Sequence, residues 1–383
     1  MYNFKFSNPV KILFGKNMIA ELSKEIPANS KVMILYGGGS IHKNGVYEQV
    51  TNALKDFQWI EFAGIEPNPH YETCLKAVEK IRENEVNFLL AVGGGSVIDA
   101  TKFIAAAALY DNDPWDFMLE KETITKAMPF GTVLTLPATG SEMNQGFVIT
   151  KAATQEKLAC GSPYTAPQFS VLDPETTYTL PTAQTANGIA DTFVHVTEQY
   201  LTFPNRASLQ DYFAEGILKV LIEEGGKVFD NPKDYDVRAN LMWASTWGLN
   251  NWIGQGVPQD WATHMIGHEL TAFYNIDHGK TLAIVLPGVL NVMRKEKAEK
   301  IIQMGERVFH VTEGSADERI DKTIQALEAF FQSIGIKTRL SDYGVDQSGI
   351  EQIIKRFKER GWQLGENENI TYEVVERILI ERI

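Results

Sequence analysis

The feature that most restricts this chain is a turn that occurs twice. Lys31-Val-Met-Ile-Leu-Tyr36 runs into Gly37-Gly38-Gly39-Ser40, and Asn87-Phe-Leu-Leu-Ala-Val92 runs into Gly93-Gly94-Gly95-Ser96. An unbroken apolar run of this length reads as a strand buried on both faces, and the glycines at its end read as the turn into a helix. Phe130-Gly-Thr-Val-Leu-Thr-Leu136, closed by Pro137, is a third such run. Strands of this kind separated by helical segments predict an α/β domain with a parallel sheet covered on both sides. Beyond Pro181 the strand signals nearly vanish. Ile320, Ile324, Leu327 and Phe331 recur at helical spacing, with Gly335 as the stop. The expectation is a sheet domain over residues 1–181 and an all-helical domain over 182–383. No Gly-, Ser- or Pro-rich linker parts them, so a ligand cleft between the halves is expected.

Composition narrows the partners. Thirty-six Lys and Arg against 49 Asp and Glu leave a net charge of −13, with no dense basic patch to override it. Such a chain repels a polyphosphate backbone, so nucleic acid is not an expected partner. Cys74 and Cys160 cannot build a disulfide framework and lack metal-site spacing, which points to a reducing compartment. The first residues carry no apolar signal segment. The most apolar late stretch, Thr281 to Met293, is interrupted by Pro287 and is shorter than the about 20 residues a bilayer span needs. A cytoplasmic protein with no membrane partner is expected.

Each Gly-Gly-Gly-Ser falls where a strand ends and a helix should begin, and backbone N–H groups there can face a phosphate. The spacing is not that of the Gly-x-Gly-x-x-Gly dinucleotide fingerprint. Tight turns also need glycine for conformational reasons alone, so neither turn is decisive by itself. Two of them at strand ends favour a nucleotide with more than one phosphate. The second continues to Asp99 and Lys102. These lie three apart and could pair on the helix surface, or Asp99 could hold a ribose or nicotinamide group.

The histidines are concentrated. Of seven, His264, His268 and His278 fall within fifteen residues, and His195 stands four after Asp191. Positions i and i+4 share a helix face, so Asp191 and His195 can reach one cation, and His264 and His268 repeat the spacing. His278 lies in Asn275-Ile-Asp-His-Gly279, read as a loop. A lone histidine more often satisfies a buried polar group. A carboxylate with several imidazoles in low-charge surroundings suits Zn²⁺ or Fe²⁺ and suits Ca²⁺ or Mg²⁺ poorly. Trp243, Trp247, Trp252 and Trp261 precede the cluster. Helix packing is their ordinary role, and walling an apolar substrate pocket is the other.

Glu66-Pro-Asn-Pro69, Gly93-Gly-Gly-Ser-Val-Ile-Asp99, Thr135-Leu-Pro-Ala-Thr-Gly-Ser-Glu142, Leu172-Asp-Pro174, Leu180-Pro181, the Asp191/His195 pair and His264…His268…His278-Gly279 occur in this order. With them the chain resembles the iron-containing (group III) alcohol dehydrogenases, and among these the butanol-dehydrogenase-like aldehyde reductases. The resemblance implies a Rossmann-like N-terminal domain and an all-helical C-terminal domain of the dehydroquinate-synthase-like fold group. It implies that Asp191, His195, His264 and His278 bind one divalent metal, Fe²⁺ or Zn²⁺. His268 would be the catalytic group near substrate and nicotinamide. Gly94, Gly95 and Ser96 would hold the pyrophosphate, with Asp99, Thr135, Thr139 and Lys157 as further cofactor contacts. A homodimer is implied as well.

The first turn bears on cofactor choice. NAD-preferring relatives carry Asp where this chain has Gly38; that carboxylate would repel a 2′-phosphate. Gly37, Gly38 and Ser40 offer N–H and hydroxyl donors instead, so NADP(H) is expected over NAD(H). The implied reaction is hydride transfer between NADP(H) and a small primary alcohol or aldehyde such as butanol or butanal. Three alternatives stand beside this reading. A dehydroquinate-synthase-like lyase needs a basic pocket, and residues 241–290 contain one Lys and no Arg. A metal hydrolase of the zinc-protease kind needs a general-base Glu, where His264-Met-Ile-Gly-His268 has Gly. A non-enzymatic nucleotide-binding protein with a structural metal would close the coordination shell.

Overall fold

The computed structural model describes all 383 residues. The chain divides into two compact units. One comprises Ser7–Leu180 and Pro232–Thr246, the other Met1–Phe6, Pro181–Asn231 and Trp247–Ile383.

The first unit is built on a six-stranded parallel sheet. In chain order its strands are β1 (Lys11–Phe14), β2 (Lys31–Leu35), β3 (Gln58–Phe62), β4 (Phe88–Gly94), β5 (Phe130–Leu136) and, after an antiparallel hairpin of β6 (Gly146–Lys151) and β7 (Glu156–Gly161), β8 (Phe169–Leu172). They lie in the order β1-β8-β5-β4-β2-β3. Alternate side chains of β2 and β4 enter opposite cores. Met33, Leu35, Leu89 and Ala91 pack with the helices Tyr71–Glu83 and Gly95–Ala107, while Val32, Ile34, Phe88, Leu90 and Val92 pack with Val46 and Val50 of the helix Val46–Ala53. Burial on both faces is why these strands read as continuous apolar runs rather than alternating ones.

The strand order places both glycine turns together. From β2 the chain goes outward to β3, and from β4 it goes the other way to β5, so the connections diverge between neighbours β2 and β4. In open α/β sheets ligands bind beyond the C-terminal strand ends at such a switch point. A Cβ on Gly37 or on Gly93 would meet the Val97 side chain, so the two turns share a neighbour.

The structure departs from the sequence expectation at two places. The second turn leads directly into the helix Gly95–Ala107, but the first does not. After Gly39, at φ +85°, comes only a three-residue 3₁₀ turn, Ser40–His42, and the helix starts at Val46 behind Gly45, at φ +80°. Two left-handed glycines make the chain turn twice before it can propagate a helix. The β6–β7 hairpin likewise departs from a purely parallel reading; its lesser burial produces a weaker apolar signal.

The second unit is helical. The helices Ala262–Tyr274, His278–Val292, Gln347–Arg360 and Tyr372–Glu381 surround one core that includes Ile266, Leu270, Val285, Val289, Ile353 and Ile378. The 320–331 periodicity becomes the helix Ala316–Ser333, and Gly335 takes φ +86° just beyond it. No helix is long and apolar enough to cross a membrane.

Two segments fall on the other side of the division from the expected 1–181/182–383 split. Met1–Phe6 joins the helical unit, where the Tyr2 N–H bonds to the Gly256 carbonyl at 2.8 Å and Phe6 meets Trp252 edge-on. Pro232–Thr246 joins the sheet unit, where the Thr246 hydroxyl donates to the buried Glu142 carboxylate at 2.6 Å and Trp243 packs on Phe14.

Candidate active site

In the helical unit the helix Thr182–Tyr200 carries Asp191, His195 and Glu198 at i, i+4 and i+7, one face of an α-helix. The helix Ala262–Tyr274 brings His264 and His268, and the helix His278–Val292 brings His278 at its first residue. The loop expected around His278 is thus shorter than the sequence suggested, with Asp277 in extended backbone as the residue before the helix. Gly279 permits this arrangement. A Cβ there would run into the backbone carbonyl of Asn187, so only glycine lets the His278 helix start so close to the Asp191 helix.

These elements converge on one carboxylate oxygen. Asp191 Oδ1 stands 3.6 Å from His195 Nε2, 3.8 Å from His264 Nε2 and 3.6 Å from His278 Nε2. One ligand atom each from Asp191, His195 and His264 lie within 4.8 Å of one another, and all three residues are buried. The separations exceed hydrogen-bond length. Donor atoms about 2.1 Å from a shared tetrahedral ion stand about 3.4 Å apart, so the spacing is that of ligands around a cation. His264 Nε2 is buried and has no hydrogen-bond partner, a costly state unless something binds there. The donor set, one carboxylate and three imidazoles, fits Zn²⁺ or Fe²⁺.

Glu198 was not singled out from the sequence. It is buried and accepts two bonds from His264, from the backbone N–H at 2.9 Å and from Nδ1 at 3.0 Å. Its i+7 spacing from Asp191 was visible, but its partner lies 66 residues away along the chain. Burial disfavours a charged His264, yet the nearby Asp191 carboxylate and the hydrogen-bonded Glu198 outweigh that and raise its basicity above the ordinary imidazole value. Two carboxylates therefore favour positive charge at this spot.

His268 lies one turn beyond His264, with its ring 5.3 Å from that of His278 and 6.4 Å from that of His264. Trp261 takes a left-handed backbone, φ 63°, and lays its indole 5.2 Å from the His264 ring and 6.2 Å from His195. Trp261 thus borders the cluster, while Trp252 packs with Phe6 and Phe213, and Trp243 with Phe14.

In the sheet unit the helix Gly95–Ala107 begins with no side-chain cap, which leaves its first N–H groups without a capping acceptor, as phosphate binding requires. Glycine is needed here by the fold too: a Cβ on Gly94 would meet Leu136, and one on Gly95 would meet Thr139 within 2.5 Å. Gly38 differs, because a Cβ there meets nothing within 4 Å. Thr135 is buried at the end of β5, and Thr139 Oγ1 accepts from the Ser141 N–H at 3.2 Å.

The structure gives Asp99 and Lys102 separate partners rather than a surface pair. Both are buried. Asp99 accepts from the Ser141 hydroxyl at 2.6 Å and the Val148 N–H at 2.9 Å, while Lys102 donates to Asn144 Oδ1 at 2.8 Å and the Gly146 carbonyl at 2.7 Å. Burial lowers the Lys102 pKa to about 8 despite Asp99 and Glu142 nearby. Lys157 donates to Asn68 Oδ1 at 2.9 Å, and the Asn68 N–H reaches Ser96 Oγ at 3.4 Å. Asn68, at φ 55°, belongs to the Glu66-Pro-Asn-Pro69 segment, and sequence alone shows no role for it.

A sequence profile described as iron-containing alcohol dehydrogenase matches residues 9–174, and one described as the C-terminal part of the Fe-containing alcohol dehydrogenase family matches 185–382. The NADPH-dependent aldehyde reductase YqhD of Escherichia coli K12 is 56% identical over 382 residues, 99% of each chain. A crystal structure of E. coli K-12 YqhD superposes with a TM-score of 0.98 at 54% identity, covering 100% of this chain and 99% of that one. The structure of an NADH-dependent butanol dehydrogenase A from Thermotoga maritima gives 0.95 at 37% identity, covering 100% and 99%.

Proposed function

The chain belongs to the iron-containing alcohol dehydrogenase family, and from that premise we propose that it is a metal-dependent, NADPH-linked reductase of small aldehydes. The reaction is aldehyde + NADPH + H⁺ → primary alcohol + NADP⁺, and it is reversible, with butanal and butanol as representative partners. The relative named an NADPH-dependent aldehyde reductase supports this reading. The single observation that carries it is the convergence of His195, His264 and His278 on Asp191 Oδ1.

When bound, a divalent cation supplies Lewis acidity toward a carbonyl oxygen, and the reduced nicotinamide supplies hydride. Asp191 contributes the one negative charge among the four ligands, and the neutral imidazoles contribute none. The residues therefore leave half of a divalent charge uncompensated, available to the oxygen on which charge develops. Trp261 and the burial of Asp191, His195 and His264 keep water from screening that field. His268 is assigned the proton that the product oxygen takes.

At the nucleotide, Gly94, Gly95 and Ser96 offer the uncapped helix start to the pyrophosphate, and Lys157 is steadied beside them through Asn68. Thr135 and Thr139 are further contacts in this reading. Asp99 serves it by fixing Ser141 and Val148 behind the Thr139 turn. Gly37, Gly38 and Ser40 receive the adenosine ribose, with no carboxylate against a 2′-phosphate. A homodimer in the cytoplasm completes the proposal. The lyase alternative finds no footing, since alcohol dehydrogenase profiles match both halves of the chain.

The test is NADPH oxidation with butanal, repeated with NADH and after treatment with a chelator. Turnover with NADPH should exceed that with NADH, vanish on chelation and return with added Zn²⁺ or Fe²⁺. Chelator-insensitive turnover, or none with any aldehyde of a small panel, rejects the reading.

A further inference from the structure

We propose that Glu198 is a positioning residue that selects the metal-binding form of His264. The inference rests on the function proposed above and assigns a role to a carboxylate outside the ligand set. An ionised carboxylate can only accept hydrogen bonds. The 3.0 Å contact between Glu198 Oε1 and His264 Nδ1 therefore places the ring proton on Nδ1 and leaves the lone pair on Nε2. Nε2 is the atom that lies 3.8 Å from Asp191 Oδ1, buried and without a hydrogen-bond partner. The opposite tautomer would present an N–H to the cation and could not bind it.

The same Glu198 oxygen accepts the His264 backbone N–H at 2.9 Å, so it fixes the ring and the chain that bears it together. The surrounding structure holds this geometry. The Asp260 N–H bonds to the Glu198 carbonyl at 2.9 Å, and Asp260 Oδ1 accepts from the Ala262 N–H at 2.9 Å, at the start of the His264 helix. Asp260 Oδ2 is in turn held by the buried Lys297 ammonium at 2.6 Å. A carboxylate behind a ligating imidazole also increases the electron density it can donate.

The experiment uses the full chain, stripped of metal and titrated with Zn²⁺ against a chromophoric chelator. Glu198→Gln keeps the size and an acceptor but loses the charge, and should weaken Zn²⁺ binding about 10–100-fold. Glu198→Asp, which keeps the charge on a shorter arm, should recover part of the loss. The Co²⁺-loaded Glu198→Gln protein should show a shifted visible absorption band while its metal-free melting temperature stays at the wild-type value. That combination separates positioning from a purely structural role.

Zn²⁺ affinity in Glu198→Gln equal to wild type, with binding still abolished by His264→Ala, overturns this inference and leaves the proposed function standing. A wild-type chain that takes up no metal overturns both. Should the variants fail to fold, ¹⁵N-histidine spectra of Zn²⁺-loaded wild type decide the question. His264 must then appear protonated at Nδ1, and protonation at Nε2 contradicts the proposal.

Discussion

His264 and His268 sit one helical turn apart and are assigned different duties in the proposed function, which substitution should separate. His264→Ala should lose both bound metal and aldehyde reduction, read by metal analysis and NADPH oxidation; an active, metal-free variant contradicts the ligand role. His268→Gln should retain its metal and lower kcat by about 10²–10⁴-fold, the usual worth of a positioned acid or base. Full activity there removes His268 from the reaction. Gly38→Asp has room, since nothing lies within 4 Å of its Cβ. It should move the ratio of kcat/KM for NADPH over NADH toward NADH, and an unchanged ratio rejects the 2′-phosphate argument. At this scale the i, i+4 pairs were legible because helix geometry alone relates their members. Glu198 was not, because its meaning depends on His264, which only the tertiary fold brings within 3.0 Å.

Among elements, the closeness of the His278 and Asp191 helices depends on Gly279. Gly279→Ala should force the His278 helix away from Asn187, costing about 1–3 kcal/mol of stability as overpacking does, and should weaken metal retention as well. Denaturant unfolding and chelator competition check the two effects; a variant as stable and as metal-retentive as wild type refutes the packing role. The sequence showed β2, β4 and β5 clearly because double-sided burial leaves uninterrupted apolar runs. It showed the β6–β7 hairpin poorly, where Glu156, Lys157 and partly exposed positions dilute the pattern. The start of the helix at His278 was hidden for a related reason: the preceding Asn275 and Asp277 are loop formers, and the contact that fixes the helix there is with Asn187.

For the whole molecule, the composition of the two units was only partly legible. Pro181 marks a true change of character, yet the placement of Met1–Phe6 and Pro232–Thr246 rests on contacts such as Tyr2–Gly256 and Thr246–Glu142 that no local pattern announces. The end of the chain is tied down by a buried charge. Arg382 donates to Glu328 at 2.6 Å and to the Thr338 carbonyl at 2.8 Å. Burial alone would raise the Glu328 pKa, but Arg382 and Thr338 outweigh it and hold it below the usual 4.5. Because the folded-state value is depressed, this stabilisation is present above pH 4.5 and lost as pH falls through the lowered value. Glu328→Gln should therefore cost about 1–3 kcal/mol near neutrality, less than a fully buried pair because Glu328 keeps some solvent contact. The gap from wild type, followed by thermal melts across pH, should close in acid; a gap independent of pH excludes the ionic contribution.

The most direct test of the account is reconstitution. Metal-free protein, titrated with Zn²⁺ or Fe²⁺ while NADPH oxidation by butanal is followed, should gain activity from zero in proportion to added metal and level off at one equivalent per chain. Full activity before any metal is added, or none at any ratio, contradicts the claim that Asp191, His195, His264 and His278 hold the cation on which aldehyde reduction depends.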